Sequence, residues 1–228
     1  MNLHGFDWQP LLLSLKLATC TTLILLVLGL PLAYGLAFSR SRLKPLWEAL
    51  ISMPLVLPPS VLGFYLLLIL SPRQGLGAWL ANTLNVNLAF SFTGIVIGSV
   101  IFSLPFMVQS LQAGLQSIPA AYSEVAYTLG QSRLQTLFRV LLPNMKASLL
   151  TGIVLSFAHT IGEFGVVLMI GGSIPGVTKV ASIAIYEDVE ALQYGHAHLY
   201  SVILLLLSFV VLLAVYMGKR FFEEAADV

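Results

Sequence analysis

Charged residues are few in this 228-residue chain: 11 Lys and Arg stand against 10 Asp and Glu, 9% of the total, for a net charge of +1. The basic residues occur in twos and threes beside apolar runs, which argues against a nucleic-acid partner. Cysteine is nearly absent. Cys20 alone permits no intrachain disulfide and no zinc site of cysteine type. His196 and His198 lack the spaced third ligand a metal site needs. The sequence also lacks Gly-x-x-x-x-Gly-Lys-Ser/Thr, His-Glu-x-x-His and Gly-x-Ser-x-Gly, so it offers no phosphate loop, zinc-protease helix or hydrolase elbow. An intramembrane hydrolase is thereby disfavoured. An autonomous secondary transporter is disfavoured too, because no internal repeat with paired broken segments is visible.

Apolar sequence is what remains. Hydrophobic residues make up 58% of the chain and the mean hydropathy is +0.93, more than the surface of a soluble globule of this size can hide. Runs of about 20 apolar residues, long enough to span a bilayer, lie near 17–37, 49–70, 92–113, 149–170 and 199–217. The expectation is an all-α integral membrane protein, one transmembrane domain over 1–228. Leu17-Ala18-Thr19-Cys20 is a poor lipoprotein box and Asp7 replaces a basic leader, so the first run is expected to stay in the mature protein. Arg40, Arg42, Lys44, Arg133, Arg139, Lys146, Lys219 and Arg220 fall on one side of five crossings, and Lys16, Arg73 and Lys179 on the other. The eight-residue side is expected to be cytoplasmic, with the amino terminus outside and the carboxyl terminus inside.

Several segments depart from plain lipid-facing helix. Met53-Pro54-Leu55-Val56-Leu57-Pro58-Pro59 places three prolines in the second span, where each removes a donor and kinks or breaks the helix. Pro105 in the third span reads as a packing kink, and Gly94-x-x-x-Gly98 permits close helix approach. His159 and Glu163 stand one turn apart in an apolar span and are expected to share a face, either packing the bundle or lining a gate. Lys16 is expected to snorkel beside Trp8. The polar stretch 171–198 repeats Ile185, Tyr186, Val189 and Leu192 at helical spacing, which suggests an interfacial or re-entrant helix with Glu187, Asp188 and Glu190 on its solvated side.

The island at 114–148 reads as two short helices and a turn. Ser117 can cap, Pro119 can take an early helical position, and Gly130 suits a left-handed helix end. Ser132 can cap the second helix, whose Leu134, Leu137, Phe138 and Leu141 form a stripe expected to pack on the bundle, with Pro143 ending it or starting the next segment. Glu124, Gln131, Arg133, Gln135 and Arg139 are then free to reach a partner.

Glu124-Val125-Ala126-Tyr127-Thr128-Leu129-Gly130, nine residues, then Val140-Leu141-Leu142-Pro143 resembles the coupling loop of type I ABC-importer permeases. That pattern is Glu-Ala-Ala, three residues, Gly, nine residues, Ile-x-Leu-Pro, with Val125 and Val140 as conservative departures. Ser156-Phe157-Ala158-His159-Thr160-Ile161-Gly162-Glu163-Phe164-Gly165 is similar to the Phe-Ala-Arg-x-x-Gly-Glu-Phe-Gly run of the sulfate and molybdate permease group, with His159 where arginine is usual. The runs Leu55-Val56-Leu57-Pro58-Pro59 and Ser173-Ile174-Pro175-Gly176-Val177-Thr178 favour the molybdate branch over sulfate and thiosulfate. The resemblance covers about residues 10–220, without the extra amino-terminal span of some relatives.

The resemblance implies a non-catalytic plasma-membrane permease working as a homodimer with two copies of a cytoplasmic ATPase and an external oxyanion-binding protein. ATP and magnesium would bind the ATPase, and no cofactor or metal is expected on this chain. Its coupling residues would be Glu124, Ala126, Gly130, Gln131, Arg133, Leu142 and Pro143. Pro58, Pro59, His159 and Glu163 would mark the pathway or gate for molybdate or its near twin tungstate.

Overall fold

The computed structural model describes residues 6–224, and among them there is helix and loop but no strand. Helix α1 (Gln9–Phe38) starts eight residues before the expected first span and runs unbroken through Pro31. It packs on α5 (Phe92–Ser117) and α9 (Lys146–Ile161), and these three form the centre of the bundle. Leu25, Ala33, Met107, Val108 and Leu111 fill the half of this centre nearer the island. Leu13, Leu17, Ile95, Val96 and Val167 fill the other half.

The second expected span is not one helix. α2 (Lys44–Ser52) passes into a 3-10 turn at Met53–Leu55, the chain breaks, and α3 starts at Pro59 and runs to Leu70. The prolines dictate where. Pro58 and Pro59 have no N–H, so the start of α3 leaves fewer orphan donors inside an apolar bundle than any other residues would. α3 continues past a short break into α4 (Gly75–Leu84), and the crossing of sufficient length is Pro59–Leu84 instead of 49–70.

The fourth expected span is interrupted as well. α9 ends at Ile161, residues 162–164 are non-helical, and α10 occupies Gly165–Gly171. Gln9–Phe38, Pro59–Leu84, Phe92–Ser117 and Tyr194–Gly218 are each long and apolar enough to cross a membrane. The pair Arg133–Asn144 and Lys146–Ile161, bent by 83°, would bring the number to five only if taken as one broken span.

Segment 171–198 does fold back as a helix, α11 (Ala181–Glu190), but on another face than expected. Ala181, Ile183 and Ala184 are buried, whereas Tyr186, Val189 and Leu192 are exposed. The small residues let α11 sit close to α1, where Ser14 Oγ accepts from the Ala181 N–H at 2.9 Å. Thr178 Oγ donates to the Gly171 carbonyl at 2.8 Å and accepts from the Ile174 N–H at 3.0 Å, tying the preceding loop. The last helix, α12 (Tyr194–Glu224), already contains His196 and His198 and rests on α9 and α11. The exposed Lys16 lies 4.5 Å over the Phe92 ring, an attraction for the ring face.

Glycine decides how closely α5 and α10 approach. A Cβ at Gly98 would stand 2.5 Å from Ile170 Cδ1 and 3.0 Å from Val166 Cγ1, so Gly98 serves packing within one chain. Gly35 meets nothing within 4 Å. Gly98→Leu is expected to destabilise the protein by about 1–3 kcal/mol through overpacking. Gly35→Ala, by helix propensity, is expected to leave it equal or stabilise it by up to about 1 kcal/mol. Thermal unfolding of the two variants in detergent, followed by tryptophan fluorescence, checks the ordering.

Candidate functional site

The two interruptions meet. A Cβ on Gly165 would lie 2.7 Å from Pro59 Cβ, and one on Gly63 would lie 2.7 Å from Met169 Cβ, so α3 and α10 leave side by side from adjacent breaks. Non-helical backbone inside a membrane bundle must find partners within the protein or in a cavity. The Glu163 carbonyl accepts from Ser182 Oγ of α11 at 2.6 Å, and the Glu163 N–H donates to the Thr160 carbonyl at 3.3 Å. Leu57 N–H donates to Met53 O at 3.1 Å on the other side.

Of the expected pathway residues, Pro58 and Pro59 are exposed on this surface, and so is Gly162 beside them. Glu163 is not: it is 4% exposed, and neither carboxylate oxygen has a hydrogen-bond partner. Ser99 is the hydroxyl it interacts with, although Ser99 Oγ also lacks a bond of normal geometry. His159 and Glu163 do not share a helical face, because α9 ends between them. The half-buried His159 ring lies between Phe102 and Phe106, centroids 4.7 and 4.3 Å away. Its Nδ1 pairs with Ser103 Oγ at 2.9 Å, and Ser103 Oγ in turn lies 3.0 Å from Thr160 Oγ.

Sequence reasoning missed Ser99, Ser103 and Ser182, single serines in apolar runs with no local pattern. It also missed polar groups on α2 and α5: Gln109 Nε donates to Ser52 Oγ at 2.9 Å and Gln112 Nε to Glu48 Oε at 2.7 Å.

In the island α5 runs through Ser117, whose hydroxyl donates back to Gly114 O at 2.8 Å, so Ser117 caps no following helix. α6 (Ala120–Thr128) has Pro119 as its N-cap residue. Gly130 has φ +78°, its N–H donates to Tyr127 O at 2.9 Å, and the Gln131 N–H donates to Ala126 O at 3.0 Å. These two bonds make a Schellman end, which requires the left-handed residue. α7 (Arg133–Thr136) opens with a full capping box: Ser132 Oγ accepts from the Gln135 N–H, and Gln135 Oε accepts from the Ser132 N–H at 2.9 Å.

A π turn, Leu137–Leu141, then adds one residue and slips the apolar stripe. Leu137 and Leu141 are buried, but Leu134 and Phe138 are 66% and 55% exposed, so only half the expected stripe packs on the bundle. α8 (Leu142–Asn144) carries Pro143, and the chain turns at the buried Met145 into α9. Glu124 and Arg133 are exposed and Ala126 is buried. The half-buried Gln131 lines an apolar cleft of about 380 Å³ with Tyr122, Val125, Leu129 and Val140. Leu142 is half-buried and Pro143 exposed at the elbow.

At the other end Lys179 pairs with Glu187, and Tyr186 donates to Glu190 Oε at 2.6 Å. Burial pushes the Glu187 carboxyl up, but the hydrogen bond and charge of Lys179 outweigh it and hold the group below its ordinary value.

Helices, breaks and elbow together define a polytopic transport subunit. The model of the family described as binding-protein-dependent transport system inner membrane component matches residues 26–223, and the chain belongs to that family. It is thus a multi-pass inner-membrane permease of the ABC-importer class. Over 222 residues it is 46% identical to the molybdenum transport system permease protein ModB of Azotobacter vinelandii, covering 97% of this chain and 98% of that one. It is 33% identical over 202 residues to a probable sulfate transport system permease protein cysT of Nephroselmis olivacea, 89% and 71% of the two chains. Among solved structures it resembles a chain of the inward-facing MetNI methionine ABC transporter, with a TM-score of 0.75 at 15% identity and coverage of 96% and 98%.

Ser132→Ala removes one half of the capping box, and loss of such a cap is worth about 0.5–2 kcal/mol. Hydrogen exchange of the Gln135 and Thr136 amides is expected to accelerate correspondingly, with the core amides of α5 unchanged.

Proposed function

We propose that this chain is the membrane-spanning subunit of an ATP-driven molybdate importer, with tungstate as an alternate cargo. Two copies form the pathway, two copies of a separate ATPase dock on 114–148 from the cytoplasm, and an external binding protein delivers the oxyanion. ATP and magnesium belong to the ATPase. The observation carrying the substrate is the 46% identity along the whole chain to a molybdenum permease, against 33% over less of a sulfate permease. Sulfate or thiosulfate is the second reading. The amino terminus lies outside and the carboxyl terminus inside, a reading supported by the eight basic residues on the island side.

Coupling is mechanical in this reading. An apolar side chain of the ATPase enters the cleft beside Val125 and Leu129, while Glu124 and Arg133 meet its charged rim. Gly130 sets the turn between the two short helices, with Ala126 and Gln131 supporting it. Movement passes through Leu142, Pro143 and the 83° elbow into α9, whose far end is the break at Gly162. There the end of α9, carrying His159, leads into Glu163 and the facing Pro58 and Pro59, so rocking of α9 opens or closes the path. Selection happens at the binding protein, and the path itself holds the dianion weakly enough to release it.

Cells lacking the chain are expected to lose molybdenum-cofactor enzyme activity at trace molybdate and to regain it when molybdate is abundant. A sulfur requirement with normal cofactor activity would move the assignment to sulfate.

Gly130→Val places a side chain on a left-handed residue, a strain of about 1–2 kcal/mol, roughly ten-fold in an equilibrium. Both Gly130→Val and Glu124→Lys are expected to weaken ATPase attachment and lower uptake while the permease dimer stays intact. Copurification and vesicle uptake measure this, and full uptake in both variants would refute the docking assignment.

A further inference from the structure

α2 is two-faced. Leu46, Trp47 and Leu50 are about half exposed and apolar, which suits lipid. Lys44, Glu48 and Ser52 stand at i, i+4 and i+8 on another face, and that face meets α5. Lys44 Nζ lies 3.8 Å from Glu48, Gln112 reaches Glu48, and Gln109 reaches Ser52. A cavity of about 180 Å³ opens between Glu48, Ser52, Gln109 and Gln112, bordered by Leu36, Ile51 and Val108.

Three features fix what this strip faces. Gln109 is exposed although it lies inside a helix that crosses the membrane, and an amide facing hydrocarbon is strongly disfavoured. The same face of α5 carries Phe106 and Phe102, three and seven residues before Gln109, and these hold His159 just before the break at Gly162. Ser52 is followed directly by the turn that leads to Pro58, the exposed edge of the other break. The strip therefore continues from both breaks to the end of the bundle where Lys44 stands.

We propose that Lys44, Glu48, Ser52, Gln109 and Gln112 line a water-filled inner vestibule through which the oxyanion leaves the helix breaks for the cytoplasm. This rests on the reading of the chain as an oxyanion permease. Neutral amides and a hydroxyl can replace part of a dianion's hydration without trapping it. Glu48, the one carboxylate in the strip, is offset by Lys44 and by the Gln112 amide, so its repulsion of the cargo is reduced. Lys44 supplies attraction at the exit.

The test uses the complete permease–ATPase complex in inside-out vesicles, with Cys20→Ser as background. Ser52→Cys, Gln109→Cys and Glu48→Cys are each treated with a membrane-impermeant cationic methanethiosulfonate. Leu205→Cys, on the 68% exposed lipid side of α12, is the control. Labelling of the strip is expected to be at least ten-fold faster than of the control, and any two assembled variants suffice. Rates equal to the control, or labelling only in right-side-out vesicles, would overturn the proposal. Fast labelling in a complex that takes up sulfate instead of molybdate would dismiss the substrate reading and leave the vestibule standing.

Discussion

Every peptide group inside a bilayer needs a hydrogen-bond partner from the protein or from a wet cavity. This chain interrupts two helices under that constraint, and the rest of the architecture accommodates the interruptions. Pro58 and Pro59 remove donors that would otherwise be orphaned. At the second break Ser182 reaches in from α11 to the Glu163 carbonyl. α11 is held there by Ser14 and by the Thr178 loop, so a segment too polar to span becomes the plug that makes the break tolerable. The contact of Gly165 with Pro59 then brings both irregular segments to one surface.

The island supplies the complementary property, stiffness. A Schellman end and a capping box leave few rotatable residues between α6 and α7, and the π turn and elbow carry that rigid pair into α9. In the coupling proposed above, a force on the exposed turn would reach a helix whose other end is one of the two breaks. Flexible loops at either point would absorb the displacement.

The legible part of this fold was what depends on local chemistry. Gly130 and Ser132 were readable because a left-handed glycine and an N-cap serine act within four residues, and hydropathy located most of the apolar helices. Misplaced features all depend on tertiary partners. Leu134 and Phe138 are exposed beside an open cleft against α1, while Leu137 and Leu141 pack, and no composition signal marks the π turn between them. The contact of Lys16 with Phe92 joins α1 to α5 and has no local sequence signal. His159 and Glu163 were separated because α9 ends between them, at Gly162. Ser99, Ser103 and Ser182 could be found only once the helices were assembled.

The burial of Glu163 bears on how an anion could pass this layer at all. A carboxylate about 6 Å from a dianion at an effective dielectric near 20 would repel it by about 5 kcal/mol, enough to slow transfer by several thousand-fold. Glu163 is instead buried in the bundle, while the exposed edge of the breaks is made of Pro58, Pro59 and Gly162, which carry no charge. Removing charge from that edge lowers the barrier without creating a deep well. A tight cationic site in the same place would bind the oxyanion and hold it. In the reading proposed above, an uncharged edge followed by amides and an exit lysine would favour passage over retention and would leave discrimination between similar oxyanions to the protein that delivers them.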